Sequence, residues 1–116
     1  MTAAAYDLVT TEVDFSSASG PSLYGIDAAY VTGSARCLWM GDANMDGVTK
    51  YTGTGNDRDA ILVKLGSDAN ATLAGYYSED LSMDGIVKYS GTGNDRDLIL
   101  YVLGAVPTAT KIEQVP

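Results

Sequence analysis

Asp42, Asn44 and Asp46 alternate along the stretch Gly41-Asp42-Ala43-Asn44-Met45-Asp46-Gly47-Val48, and the pattern returns 38 residues later as Asp80, Ser82 and Asp84, followed by Gly85 and Ile86. Oxygen-bearing side chains at every second position of a tight loop turn toward one centre. A glycine at the sixth position permits the bend that brings the seventh carbonyl to the same point. These are the first, third, fifth and seventh ligand positions of an EF-hand calcium loop. The candidate metal ligands are the side chains of Asp42, Asn44 and Asp46 with the carbonyl of Val48, and those of Asp80, Ser82 and Asp84 with the carbonyl of Ile86. An all-protein oxygen cage suits Ca²⁺ better than the smaller, more tightly hydrated Mg²⁺.

Such a loop needs a closing carboxylate at its twelfth position, and there the pattern departs, because the twelfth residue counted from Asp42 is Gly53. Both copies carry an insertion, Lys50-Tyr51-Thr52-Gly53-Thr54-Gly55 in the first, ahead of Asn56-Asp57-Arg58-Asp59. Looping out those six residues puts Asn56 at the ninth position and Asp59 at the twelfth. Asp59 and Asp97 are therefore the expected closing ligands, with Asp57 and Asp95, at an exposed first helical position, next in line. The plainer reading is that these acids are ordinary turn formers facing water. Two copies that share the same departures argue for metal instead. Two bound Ca²⁺ would take the formal charge from −8 to −4 and relieve repulsion that opposes folding.

Other chemistry is less well supported. Asp57 and Asp59 could flank a glycosidic bond, but both sit on a capped helix end with no evident cleft. Gly53-Thr54-Gly55 lacks the lysine that follows a phosphate-binding glycine loop. Trp39, Tyr51 and Tyr89 could face a sugar, though an aromatic beside a loop more often packs as a lid. With no histidine in 116 residues, the usual neutral-pH acid/base group and the commonest transition-metal ligand are both missing. No catalytic set emerges, so an enzyme is not expected.

The elements that must position the loops follow from the duplication. Residues 42–66 and 80–104 match at 17 of 25 positions, which makes the repeat, rather than any local pattern, the organising feature. Each copy is expected to end in a short helix, Asp57 to Leu65 and Asp95 to Leu103. Asn56 and Asn94 serve as N-caps, Asp59 and Asp97 stand three residues on to bond back, and Gly66 and Gly104 end the helices. Helices this short need a partner, and the expected one is each other, about a pseudo-twofold axis.

The first forty residues read as β-rich. Tyr6 and Leu8 share one phase and Val13 and Phe15 the other, so a bulge is expected near residues 10–12. Ser16 to Pro21 reads as a turn, and Leu23 to Val31 is ambiguous. Ala35 to Met40 reads as a strand carrying Trp39 to the first loop, with Leu73 to Tyr77 as its counterpart, and residues 110–116 as an edge strand. The expected fold class is α+β: a β-rich part over 1–36, the duplicated loop and helix region over 37–104, and a tail over 105–116, together one domain. Cys37 is expected to be a buried thiol.

An excess of fifteen acids over seven bases and a pI near 4.1 argue against nucleic acid and anionic membranes as partners, and no apolar run is long enough to span a bilayer.

The duplicated Asp-x-Asn-x-Asp-Gly loops, each followed by a short helix, resemble dockerin modules, the calcium-folded domains that bind cohesins in secreted bacterial assemblies. The longer wording, Gly-Asp-Ala-Asn-Met-Asp-Gly-Val-x-Lys-Tyr-Thr-Gly-x-Gly-Asn-Asp-Arg-Asp-x-Ile-Leu, is similar to a dockerin-like repeat region at the C-termini of large secreted or surface bacterial proteins. The resemblance covers Leu38 to Pro116. It implies an extracellular or cell-surface location, and a Met1 that lies inside a longer precursor. The inserted segment and the β-rich start depart from dockerins. The expected function is thus a calcium-stabilised structural module, assembling with copies of itself through terminal strands into a filament or surface layer. The alternatives are an anchoring module for another, cohesin-like surface protein and a carbohydrate-binding module.

Overall fold

The computed structural model describes residues 14, 16–20, 23 and 28–112. They fall into two compact units that divide between Trp39 and Met40. The strand phases expected around Tyr6, Leu8, Val13 and Phe15, the bulge at 10–12 and residues 113–116 of the tail lie outside the described residues.

In the first unit, β1 (Tyr30–Thr32) and β2 (Ala35–Cys37) form an antiparallel hairpin with Tyr30 opposite Cys37. Gly33 adopts φ +58° at its turn, a conformation that glycine takes without steric cost. Ser17 bridges to Ala35, so the segment read as a connector partly joins this ribbon. Trp39 meets the Tyr30 ring edge-on at 5.4 Å between centroids. The strand expected over Ala35–Met40 stops at Cys37. The thiol expected to be buried is exposed.

The second unit holds both repeats. Its elements are β3 (Val48–Lys50), α1 (Asp57–Lys64), β4 (Thr72–Ala74), β5 (Ile86–Lys88), α2 (Asp95–Val102) and β6 (Thr110–Ile112). Both helices start where the caps demand. Asn56 Oδ1 accepts the Asp59 N–H and Asn94 Oδ1 the Asp97 N–H, each at 2.9 Å. Both also end alike. Gly66 N–H bonds Val63 O and Ser67 N–H bonds Leu62 O, with Gly104 to Tyr101 O and Ala105 to Leu100 O in the second copy. This is the Schellman arrangement, made possible by left-handed Gly66 and Gly104.

Strand pairing crosses between the copies. β4 follows the first helix and pairs with β5 of the second loop, while β6 follows the second helix and pairs with β3 of the first. The registers correspond under the same 38-residue offset, Leu73 opposite Val87 and Lys111 opposite Thr49. Two hydroxyls repeat the exchange: Thr52 donates to Pro107 O at 2.9 Å and Ser90 to Ala69 O at 2.6 Å. The repeat counterpart of β4 is therefore β6, not the strand around Ala35 that the sequence suggested. The helices pack on each other, as expected, around a core of Ala43, Ile61, Leu65, Leu81, Val87, Ile99 and Leu103. Neither eight-residue helix would be stable without that burial.

Candidate metal centre

Each acidic loop is wound by its own side chains. Asp42 Oδ1 accepts the Asp46 N–H at 3.1 Å and Asp42 Oδ2 the Gly47 N–H at 2.8 Å. Asn44 Oδ1 also accepts from Asp46 N, at 2.9 Å, and Asp46 Oδ1 from Val48 N, at 2.9 Å. In the second loop Asp80 accepts from Asp84 N and Gly85 N at 3.2 and 2.8 Å, and Asp84 Oδ1 from Ile86 N at 2.9 Å. Side-chain oxygens bonded to main-chain N–H groups a few residues on are how aspartate and asparagine shape such turns. Two left-handed residues per loop complete the winding: Met45 (φ 58°) with Gly47 (φ 81°), and Met83 (φ 58°) with Gly85 (φ 85°). Methionine in this region costs backbone energy, and both methionines project outward, exposed.

The carboxylate that meets the first loop from the helix is Asp57. Its Oδ1 accepts the N–H groups of Ala43 and Asn44 at 2.8 and 3.3 Å, and its Oδ2 that of Lys50 at 2.7 Å. Asp95 does the same with Ser82 N at 2.9 Å and Lys88 N at 2.8 Å. Both are wholly buried, which corrects the expectation that the first helical position faces solvent. Burial pushes the Asp57 carboxyl above its usual range. The three N–H donors pull it back, and the neighbouring charge of Asp42 adds to the push. A divalent cation beside Asp42 would oppose that push by favouring the ionised form.

Asp59 and Asp97 stand differently. Their side chains are about 60% exposed, at 60% and 62%. Asp59 Oδ2 accepts the Asn56 amide at 2.8 Å and its Oδ1 lies 3.6 Å from Arg58. Asp97 Oδ2 accepts from Asn94 at 2.9 Å and its Oδ1 from Arg96 at 3.1 Å, and these contacts, Asn94 first, hold its carboxyl below the usual range. Asn56 and Asn94, expected at the ninth loop position, are buried caps whose amides donate to Gly53 O and Gly91 O at 2.7 Å. The insertion is looped out only in part: Lys50 ends β3, Tyr51 and Tyr89 pack against the core under Arg58 and Arg96, at 5.2 and 5.1 Å from the ring centroids, and residues 52–55 form an exposed turn. The aromatics beside the loops thus act as packing lids.

The donors present suit a hard cation, since each loop offers two carboxylates, an amide or hydroxyl oxygen and a carbonyl, with no nitrogen or sulfur ligand. Among the described residues no group of three or more His, Cys, Asp or Glu side chains stands together as a metal cluster, so the third donor in each loop has to come from Asn44 or Ser82 and the fourth from main chain. Among the same residues no helix is long and apolar enough to cross a membrane. Sequence reasoning undervalued Asp57 and Asp95. The signal was there in the shared Asn-Asp-Arg-Asp wording, where a cap explains the asparagine and the second aspartate but leaves the first one unexplained.

No protein-family model matches the chain, and neither a curated protein nor a solved structure matches it.

Proposed function

We propose that the chain is a calcium-stabilised, non-enzymatic structural module of an extracellular or cell-surface protein, with two dockerin-like loop and helix repeats, and that it assembles with copies of itself. The observation that carries the metal reading is the winding of both loops by the same bonds to Asp42 and Asp46 and to Asp80 and Asp84, with Asn44 adding a bond that Ser82 does not repeat. The carbonyls of Val48 and Ile86 complete the fourth position. Of the acids at the helix starts, Asp57 and Asp95 bond to the loop backbone and Asp59 and Asp97 do not, so the first pair braces each loop from the helix. Metal binding then couples the loop to the start of the helix, and so stabilises the fold directly.

Self-assembly draws its support from the sheets. Among the described residues the sheets have two strands each, and the outer edge of β4 is where a second chain could add backbone hydrogen bonds. One observation favours the anchoring alternative: Val63 and Tyr101, equivalent positions of the two helices, are both exposed apolar residues of the kind a receptor domain would cover. Light scattering with and without Ca²⁺ separates the two. A concentration-dependent oligomer supports self-assembly, and a strict monomer under both conditions supports anchoring.

A further inference from the structure

Each loop has a lysine four residues past the carboxylate at its fifth position, Lys50 after Asp46 and Lys88 after Asp84. In the second copy Lys88 Nζ lies 3.7 Å from Asp84 Oδ2, the oxygen of that carboxylate that the Ile86 N–H does not use. In the first copy the equivalent Lys50 Nζ donates instead to Thr54 O at 3.1 Å. It remains near the loop: a Cβ placed on Gly55 would stand 3.8 Å from Lys50 Nζ and 3.7 Å from Asp46 Oδ2. Asp46 Oδ2 is taken by the Asn44 amide, at 3.2 Å, which also donates to Gly55 O at 3.1 Å. Ser82, lacking an amide, donates to Asp80 Oδ1 at 3.2 Å and leaves Asp84 Oδ2 to the lysine. In both loops the oxygen that a metal would take at the fifth position therefore faces an internal N–H donor, neutral in the first and charged in the second.

We propose that Lys88 is a built-in counter-ion that calcium must displace, which makes the second loop the weaker calcium site and helps to hold it when metal is scarce. This deepens the calcium reading and rests on it. An ammonium and a divalent cation cannot share one carboxylate oxygen without strong repulsion, so binding has to break the ion pair first. The pair is partly exposed, which keeps the penalty modest and the exchange reversible. Lys50, seated on a carbonyl, offers much weaker competition.

The test is calorimetric titration with Ca²⁺ of the full chain carrying Asp46→Ala, so that only the second loop responds. Adding Lys88→Met is expected to tighten binding about fivefold and to lower the melting temperature in EDTA by about 4 °C, while Lys88→Arg behaves as its parent. Lys88→Gln repeats the test should the methionine variant fold poorly. Unchanged or weaker binding in both neutral variants, or an unchanged melt in EDTA, overturns the proposal even where the parent binds calcium well. A parent and an unmutated chain that give no heat with Ca²⁺ would overturn the calcium reading, and this one with it.

Discussion

The two copies share the aspartates that bond to backbone and differ at the third loop position, Asn44 against Ser82, and at several core positions. Asp42 and Asp80, Asp46 and Asp84, Asp57 and Asp95 make equivalent main-chain bonds. Thr52 and Ser90 differ in type yet keep the hydroxyl that clasps the opposite copy. Around this shared frame, Ala43, Thr49 and Lys64 of the first copy stand where the second has Leu81, Val87 and Val102, so the second supplies more of the apolar interior. The first is held more by polar contacts, through Asn44 above all. The second loop keeps its winding at Asp80 and Asp84 without the backbone bonds that Asn44 makes in the first, so the aspartates alone suffice for the turn.

That comparison can be broken at several places. The largest effect is expected at the buried struts. Asp57→Ala leaves three N–H groups without an acceptor and should cost about 3–5 kcal/mol in urea unfolding, with Asp95→Ala, which strands two, somewhat less. A larger loss at Asp95 would mean that the two struts are not equivalent. Next comes metal removal. At a hundredfold excess over the dissociation constant each site contributes about 2.7 kcal/mol. Asp46→Ala and Asp84→Ala should therefore each abolish one calorimetric equivalent of calcium, and Asp84→Ala should also lower the melting temperature in EDTA, because it removes the partner of Lys88.

A core swap sharpens the difference in polarity. Thr49 is buried and its hydroxyl reaches only Met40 O, at 3.5 Å, so Thr49→Val should be nearly neutral, whereas Val87→Thr buries an unpartnered hydroxyl at a cost of about 1–3 kcal/mol. The smallest effect is expected at the exposed cap partners. Asp59→Ala and Asp97→Ala should lose about 0.5 kcal/mol of stability and leave the calcium affinity near that of the parent. A hundredfold loss of affinity at Asp59→Ala would restore it as the closing ligand.

The helices were legible in the sequence because everything that bounds them is local: Asn56 and Asp59 at one end, Leu62 to Ser67 at the other. The loop windings were legible for the same reason. Strand partners were not, since β4 and β6 each choose the opposite copy, and three-residue strands carry too little alternation to declare a distant mate. The burial of Asp57 was hidden by a rule that usually holds, that acids at a helix start face water. Here the strand and loop fold over that helix end, and the carboxylate becomes the acceptor for both. Cys37 was misjudged because free cysteine usually packs like a small hydrophobe, while here the thiol at the end of β2 is exposed.

The central claim, two calcium-tied loops in one small fold, is tested most directly by titrating Ca²⁺ into metal-stripped full-length protein while following heat and melting temperature together. The account predicts two equivalents bound, the second more weakly, with the melting temperature rising as each is filled. No heat and an unchanged melting temperature at millimolar Ca²⁺ would contradict it.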